Sequence, residues 1–203
     1  MARSITMSVT AMTLNTTLSC YVEPVSALPG EQVSIFAQLL DQTGAPVRLK
    51  PINFYANSVL IGTVPTSYAA PYVAILNWAP PSAGIYSIYA EFLGDATYNP
   101  STSTMQTLTV AKWKTSMTIS VSPTSVVVGQ TVTISGVITD EKNYVVPGVD
   151  VNINIGGVIV ATVKTDASGY YSYDWTPSSA GTFSIYAEFL GTAIHEGCEE
   201  TPD

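Results

Sequence analysis

Apolar and polar residues alternate along most of this chain. In "FSIYAEFLG", Phe183, Ile185, Ala187 and Phe189 fall on one side, with Ser184, Tyr186 and Glu188 on the other. A period of two with one apolar side predicts a strand in a sheet packed on one face only. The same reading places strands over residues 116–122, 130–139, 149–155, 158–164, 170–175 and 182–190, separated by Gly, Pro, Asn and Asp. No stretch carries a helical period. In "YYSYDW", alternation sets Tyr171 and Tyr173 on one face and Tyr170, Ser172 and Asp174 on the other. An exposed tyrosine ladder there is a candidate surface for a sugar or partner; ordinary edge-strand packing is the alternative.

The alternation occurs twice. "WAPPSAGIYSIYAEFLG" begins at Trp78 and "WTPSSAGTFSIYAEFLG" at Trp175, an offset of 175 − 78 = 97. Upstream, "VEPVSALPGEQVSIFAQLLD" ends at Asp41 and "VSPTSVVVGQTVTISGVITD" at Asp140, an offset of 140 − 41 = 99. The difference falls in a turn, where the second copy has a tight hairpin at Ser168-Gly169. Duplicated domains tolerate such changes in loops. Six or seven short strands per copy predict a β-sandwich of Greek-key type. The matched Trp78 and Trp175 read as core or sheet-end packing.

"LPGEQVSIFAQLLD" and "AGIYSIYAEFLGDATYNPSTS" resemble the bacterial and archaeal Ig-like domains repeated in surface proteins and adhesins. Members carry a Pro-Gly or Val-Gly-Gln turn before one strand, an A-G-x-[YF]-x-[IL]-x-A strand, and a Gly-Asp-x-x-Tyr loop. Gly94, Asp95 and Tyr98 match that loop, whereas the second copy has Gly191, Thr192 and His195. The resemblance implies an all-β chain of two tandem Ig-like sandwiches, and it specifies a fold rather than an activity.

Composition narrows the function. With 46% apolar and 11% charged residues the chain is too hydrophobic for disorder. A net charge of −8 supplies no basic stripe for nucleic acid or an anionic membrane. No apolar run approaches the ~20 residues of a spanning helix, and "MARSITMSVT" shows no signal-peptide core. A lone His195, in the position of Tyr98, has no nucleophile and carboxylate spaced to converge on it, so no enzyme, catalytic residue or cofactor is expected. Glu196, Glu199, Glu200 and Asp203 lack the order of a calcium loop and read as a solvated end, so no metal site is expected. Cys20 reads as a small buried hydrophobe, and Cys198 falls in a loop of the other copy. Asn15-Thr16-Thr17 is the one glycosylation sequon.

The largest clue lies at the two ends. The first copy continues into "TMQTLTVA", with Gln106, Leu108 and Val110 facing inward as the closing strand of the sandwich. The second copy reaches only Asp203, the counterpart of Gln106 (203 − 97 = 106), so its closing strand is expected to be missing. Before the first copy, "SITMSVTAM" offers Ile5, Met7, Val9 and Ala11 on one face. Val9 precedes Pro24 by 15 residues, as Leu108 precedes Pro123. The expected organisation is a donor strand and linker at 1–14, a first domain at 15–112, and an incomplete second domain at 113–203. Its acceptor groove is expected at Phe183, Ile185, Ala187 and Phe189. The expected function is a subunit of an extracellular filament that polymerises head-to-tail with its own copies by donor-strand complementation. This layout resembles that of pilus or archaeal thread subunits. The alternative is an adhesin or virion decoration module that binds a glycan or capsid; the missing signal peptide favours assembly inside a cell.

Overall fold

The computed structural model describes residues 12–201, and its regular structure there is strand throughout. The chain divides between Ala111 and Lys112 into two compact units. The first holds β1 Thr16–Glu23, β2 Ser26–Ala27, β3 Val33–Asp41, β4 Pro51–Ala56, β5 Val59–Pro65, β6 Val73–Trp78, β7 Gly84–Phe92, β8 Ser101–Thr102 and β9 Gln106–Val110. One sheet runs β1-β3-β6 and the other β2-β9-β7-β4-β5, with β8 also on β7. Their inner faces meet in a core of Ile35, Leu39, Ile52, Phe54, Ile88 and Leu108, all fully buried.

The second unit holds β10 Thr115–Met117, β11 Ser120–Ser122, β12 Val132–Asp140, β13 Asp150–Ile155, β14 Val158–Lys164, β15 Tyr170–Trp175, β16 Ile185–Phe189 and β17 Cys198–Glu200. β10 and β11 lie in one register along β12, whose other side pairs with β15; the second sheet is β14-β13-β16-β17. The core is built on Ile134, Ile138, Ile153, Tyr171 and Phe189. Each unit is thus an all-β sandwich of the expected class. The hairpin at Ser168-Gly169 is fixed by Asp166, which accepts N–H bonds from Ser168 (2.8 Å) and Tyr170 (3.0 Å), while Gly169 takes φ 73°.

Two expectations for the second unit need correction. The strand read over 116–122 is interrupted at Thr118 and Ile119, and Tyr171 and Tyr173 form no exposed ladder: Tyr171 is 1% accessible and Tyr173 half-buried, while Tyr170 on the other face is exposed. The two facts have one cause. Tyr171 stands opposite Gly136 and its hydroxyl donates to the Thr118 carbonyl at 2.7 Å. A Cβ on Gly136 would lie 1.8 Å from that carbonyl oxygen. The missing side chain therefore lets the edge strand sag inward to meet the phenol. In the first unit the counterparts are Ala37 and Ala74, and β1 runs unbroken.

Candidate functional site

In the first unit β9 pairs antiparallel with β7, from Gly84↔Val110 to Ile88↔Gln106. Its other side meets β2 in parallel, through Thr109 N–H to Val25 O and Ala111 N–H to Ala27 O, both 3.0 Å. Period two sends Leu108 and Val110 inward, at 0% and 3% accessibility, while Gln106 is half-buried. β9 is therefore the wedge between the two edges, and its two apolar side chains close the core.

The second unit has no counterpart of that wedge among the described residues. By the 97-residue offset β7 corresponds to Gly181–Phe189, yet only Ile185–Phe189 is strand. β17 reproduces β8, with Phe189↔Cys198 in place of Phe92↔Ser101. The stretch 181–184 has no strand beside it, and Ser125-Val126, the counterparts of β2, form no strand either. Between them lies a cavity of about 470 Å³ lined by Val121, Pro123, Val126, Trp175, Phe183 and Ile185, among others. A second hollow of about 340 Å³ shares Val121, Phe183 and Ile185 and reaches Thr201, extending the groove along the strand edge. Trp175 meets Phe183 edge-on at 4.9 Å, as Trp78 meets Tyr86 at 5.3 Å. The aromatic floor is thus in place in both units, and only the first has it covered by β9. Val127 and Val128 at the rim are 69% and 48% accessible.

Of the expected acceptor residues, Phe183 and Ile185 line this groove, while Ala187 and Phe189 sit in the closed core beside β17. The sequence reading misses the opposite wall, Val121 to Val128; its counterpart by the 99-residue offset is "VEPVSALP", of which Ser26 and Ala27 pair with β9 in the first copy. The donor residues Ile5, Met7, Val9 and Ala11 lie outside the described residues. Asn15 is exposed just before β1, and its Oδ1 accepts from Asn99 Nδ2 at 2.7 Å.

The remaining candidates are dispersed. Asp95 binds Lys50 at 2.5 Å and accepts the N–H groups of Thr97 and Tyr98; these bonds, Lys50's above all, hold its carboxyl at about 2. Thr192 takes the corresponding place, accepting N–H bonds from Ile194 and His195, and burial lowers the His195 pKa. The Cys20 thiol is pushed up to about 11 by burial, and that of Cys198 is raised for the same reason. Among the described residues no three His, Cys, Asp or Glu side chains gather into a metal-binding group, Glu196, Glu199 and Glu200 included; Asp203 lies outside those residues. No helix there is long and apolar enough to cross a membrane.

Comparison with known proteins fits this architecture. The model of the bacterial Ig-like domain (group 3) matches residues 5–111 and 119–202. No curated protein matches the chain. Among solved structures, invasin, a bacterial integrin-binding protein, aligns with a TM-score of 0.57 at 17% identity, over 91% of this chain and 38% of its own. The adhesin InvE of Yersinia pseudotuberculosis aligns with a TM-score of 0.48 at 16% identity, over 90% of this chain and 57% of its own. The D0-D1 domain of intimin gives 0.36 at 18% identity, over 92% and 97%. This chain therefore spans little more than half of InvE and well under half of invasin. With a family match over both repeats and a sandwich in each, the chain belongs to the bacterial Ig-like domains of group 3, in two tandem copies.

Proposed function

We propose that this chain is a non-enzymatic structural subunit of an extracellular filament, joined head-to-tail by a strand that one copy donates to the second sandwich of the next. The observation that carries this reading is the cavity of about 470 Å³ at the place where Leu108 and Val110 close the first sandwich. A cleft that combines valine and aromatic side chains with open backbone along a strand edge is a liability that proteins cover, and an incoming strand covers it with ladder hydrogen bonds and alternate side chains at once. The occupant is the segment around Ile5, Met7 and Val9 of a second copy, which repeats the alternation of β9. A contact between unlike ends generates an open filament unless rotation closes a ring.

Removing residues 1–12 tests this. The full-length protein is expected to form ladders of multimers by size-exclusion chromatography and fibres by negative-stain microscopy, and the truncated protein only monomers. Normal filaments from the truncated protein would sink the reading.

A second reading, an adhesin or decoration module, is favoured by one surface. On the outer face of β1-β3-β6, Tyr21 stacks on Phe36 at 4.6 Å with Ile75 beside them across the sheet. The counterparts in the second unit are Ser120, Ser135 and Ser172. Invasin, whose fold is similar, is an integrin-binding protein. A discrete monomer or trimer that binds an immobilised glycan, and loses binding on Tyr21→Ser with Phe36→Ser, supports this reading against the filament.

A further inference from the structure

The donor's register follows from the filled groove. In β9 the two fully inward residues are Leu108 and Val110, within the tetrapeptide Thr107-Leu108-Thr109-Val110. The N-terminal segment contains Thr6-Met7-Ser8-Val9, the same order of hydroxyl and apolar residues with side chains of similar size. Spacing from the following proline suggests another register, with Val9 in the place of Leu108 and Ala11 in that of Val110. Both put Ile5, Met7, Val9 and Ala11 on one face, because a slip of two residues preserves a period of two. They differ in fit. The second fills each position with a smaller side chain and leaves voids in a cavity already shaped by Trp175 and Phe183.

The connectors leave room for the slip. Leu14 bridges Tyr98 in the first unit just as Trp113 bridges His195 in the second, so Leu14 and Trp113 are equivalent points. Val110 precedes Trp113 by 113 − 110 = 3 residues, and Val9 precedes Leu14 by 14 − 9 = 5. An N-terminal connector longer by two residues absorbs the slip.

Resting on the strand-acceptor reading, we infer that Met7 of a second copy enters the groove against Phe183 and Val9 enters beside Gly181, with Ser8 on the outer face next to Thr182 and Ala11 in the connector. These places are those of Leu108 against Tyr86, Val110 against Gly84 and Thr109 against Ile85.

Two reciprocal substitutions in the full-length chain test the register. Met7→Asp is expected to weaken assembly by at least about a hundredfold in concentration, a buried unpaired carboxylate being worth well over two factors of ten. Ala11→Asp is expected to change it by less than about threefold. The opposite ranking overturns the register and leaves strand donation standing. Cysteine pairs give a second readout in a Cys198→Ser background. Ser8→Cys with Thr182→Cys should form covalent ladders on mild oxidation, and Thr10→Cys with Thr182→Cys should not. Ladders from the second pair, or multimers that neither pair links, overturn the register. Cross-links confined to single chains overturn the second copy as donor. A full-length protein that stays monomeric at all concentrations overturns the acceptor reading itself.

Discussion

The two units carry nearly the same words, "YSIYAEFLG" and "FSIYAEFLG", yet the first forms a nine-residue strand and the second a five-residue one. The missing residues, 181–184, are those whose counterparts pair with β9. Strand here is a property of a pair: each extended residue gives up conformational freedom worth about 1–2 kcal/mol, and cross-strand bonds and burial must offset it. Where the partner is present the segment is strand; where none lies among the described residues, the corresponding residues, Gly181 to Ser184, form irregular chain beside a cleft.

Several substitutions sharpen that contrast. The largest effect is expected at the closed end. Leu108→Ala should destabilise the first unit by about 2–5 kcal/mol, since a fully buried leucine leaves a cavity. Phe183→Ala, at a half-buried position lining the open groove, should cost the second unit clearly less, both measured by urea unfolding. In multimers of the proposed kind the difference should narrow, because a donated strand would cover Phe183. Amide exchange gives the next largest readout. The Tyr86 amide, which faces β9, should exchange at least about a hundredfold more slowly than that of its counterpart Phe183 in the free protein, and multimers of the proposed kind should close the gap.

Gly136→Ala forces a methyl against the Thr118 carbonyl and should cost the second unit about 1–3 kcal/mol, whereas Ala37→Gly should cost the first only about 0.5–1 kcal/mol. Acid separates the units by a smaller effect. Asp95 has a lowered pKa when folded, so its contribution is complete above the unfolded value near 3.8 and is lost as pH falls towards about 2. Thr192 has no such dependence. Asp95→Asn should flatten this part of the acid unfolding of the first unit and leave the second unchanged. Thiol titration gives the smallest contrast: Cys198, partly exposed, should react before Cys20, which is buried and should wait for unfolding.

The sandwich architecture was legible because it rests on local alternation and turn residues. The strands at 158–164 and 170–175 agree to the residue, and their hairpin is dictated by Asp166 and Gly169. What alternation cannot supply is information held on another strand. The break at Thr118 depends on Gly136 and Tyr171, 18 and 53 residues away (136 − 118; 171 − 118). The shortening of the strand read over 182–190 depends on a partner. The groove was half legible: its floor at Phe183 and Ile185 lies on the alternating strand, but its wall from Val121 to Val128 has no regular pattern and shows itself only by comparison with β2 and β9.

The parallel contact of β2 with β9 also has a mechanical meaning. These strands lie near opposite ends of the first unit's chain, so a pull on both ends drags one past the other along their length. The bonds at Val25 and Ala27 then bear tension together, in shear, instead of opening one after another like a zip. Rupture under such a load is governed by the unfolding rate. The first sandwich thus carries its own latch. Among the described residues the second sandwich has no such latch, so the same pull there meets no strand pair loaded in shear at the matching place.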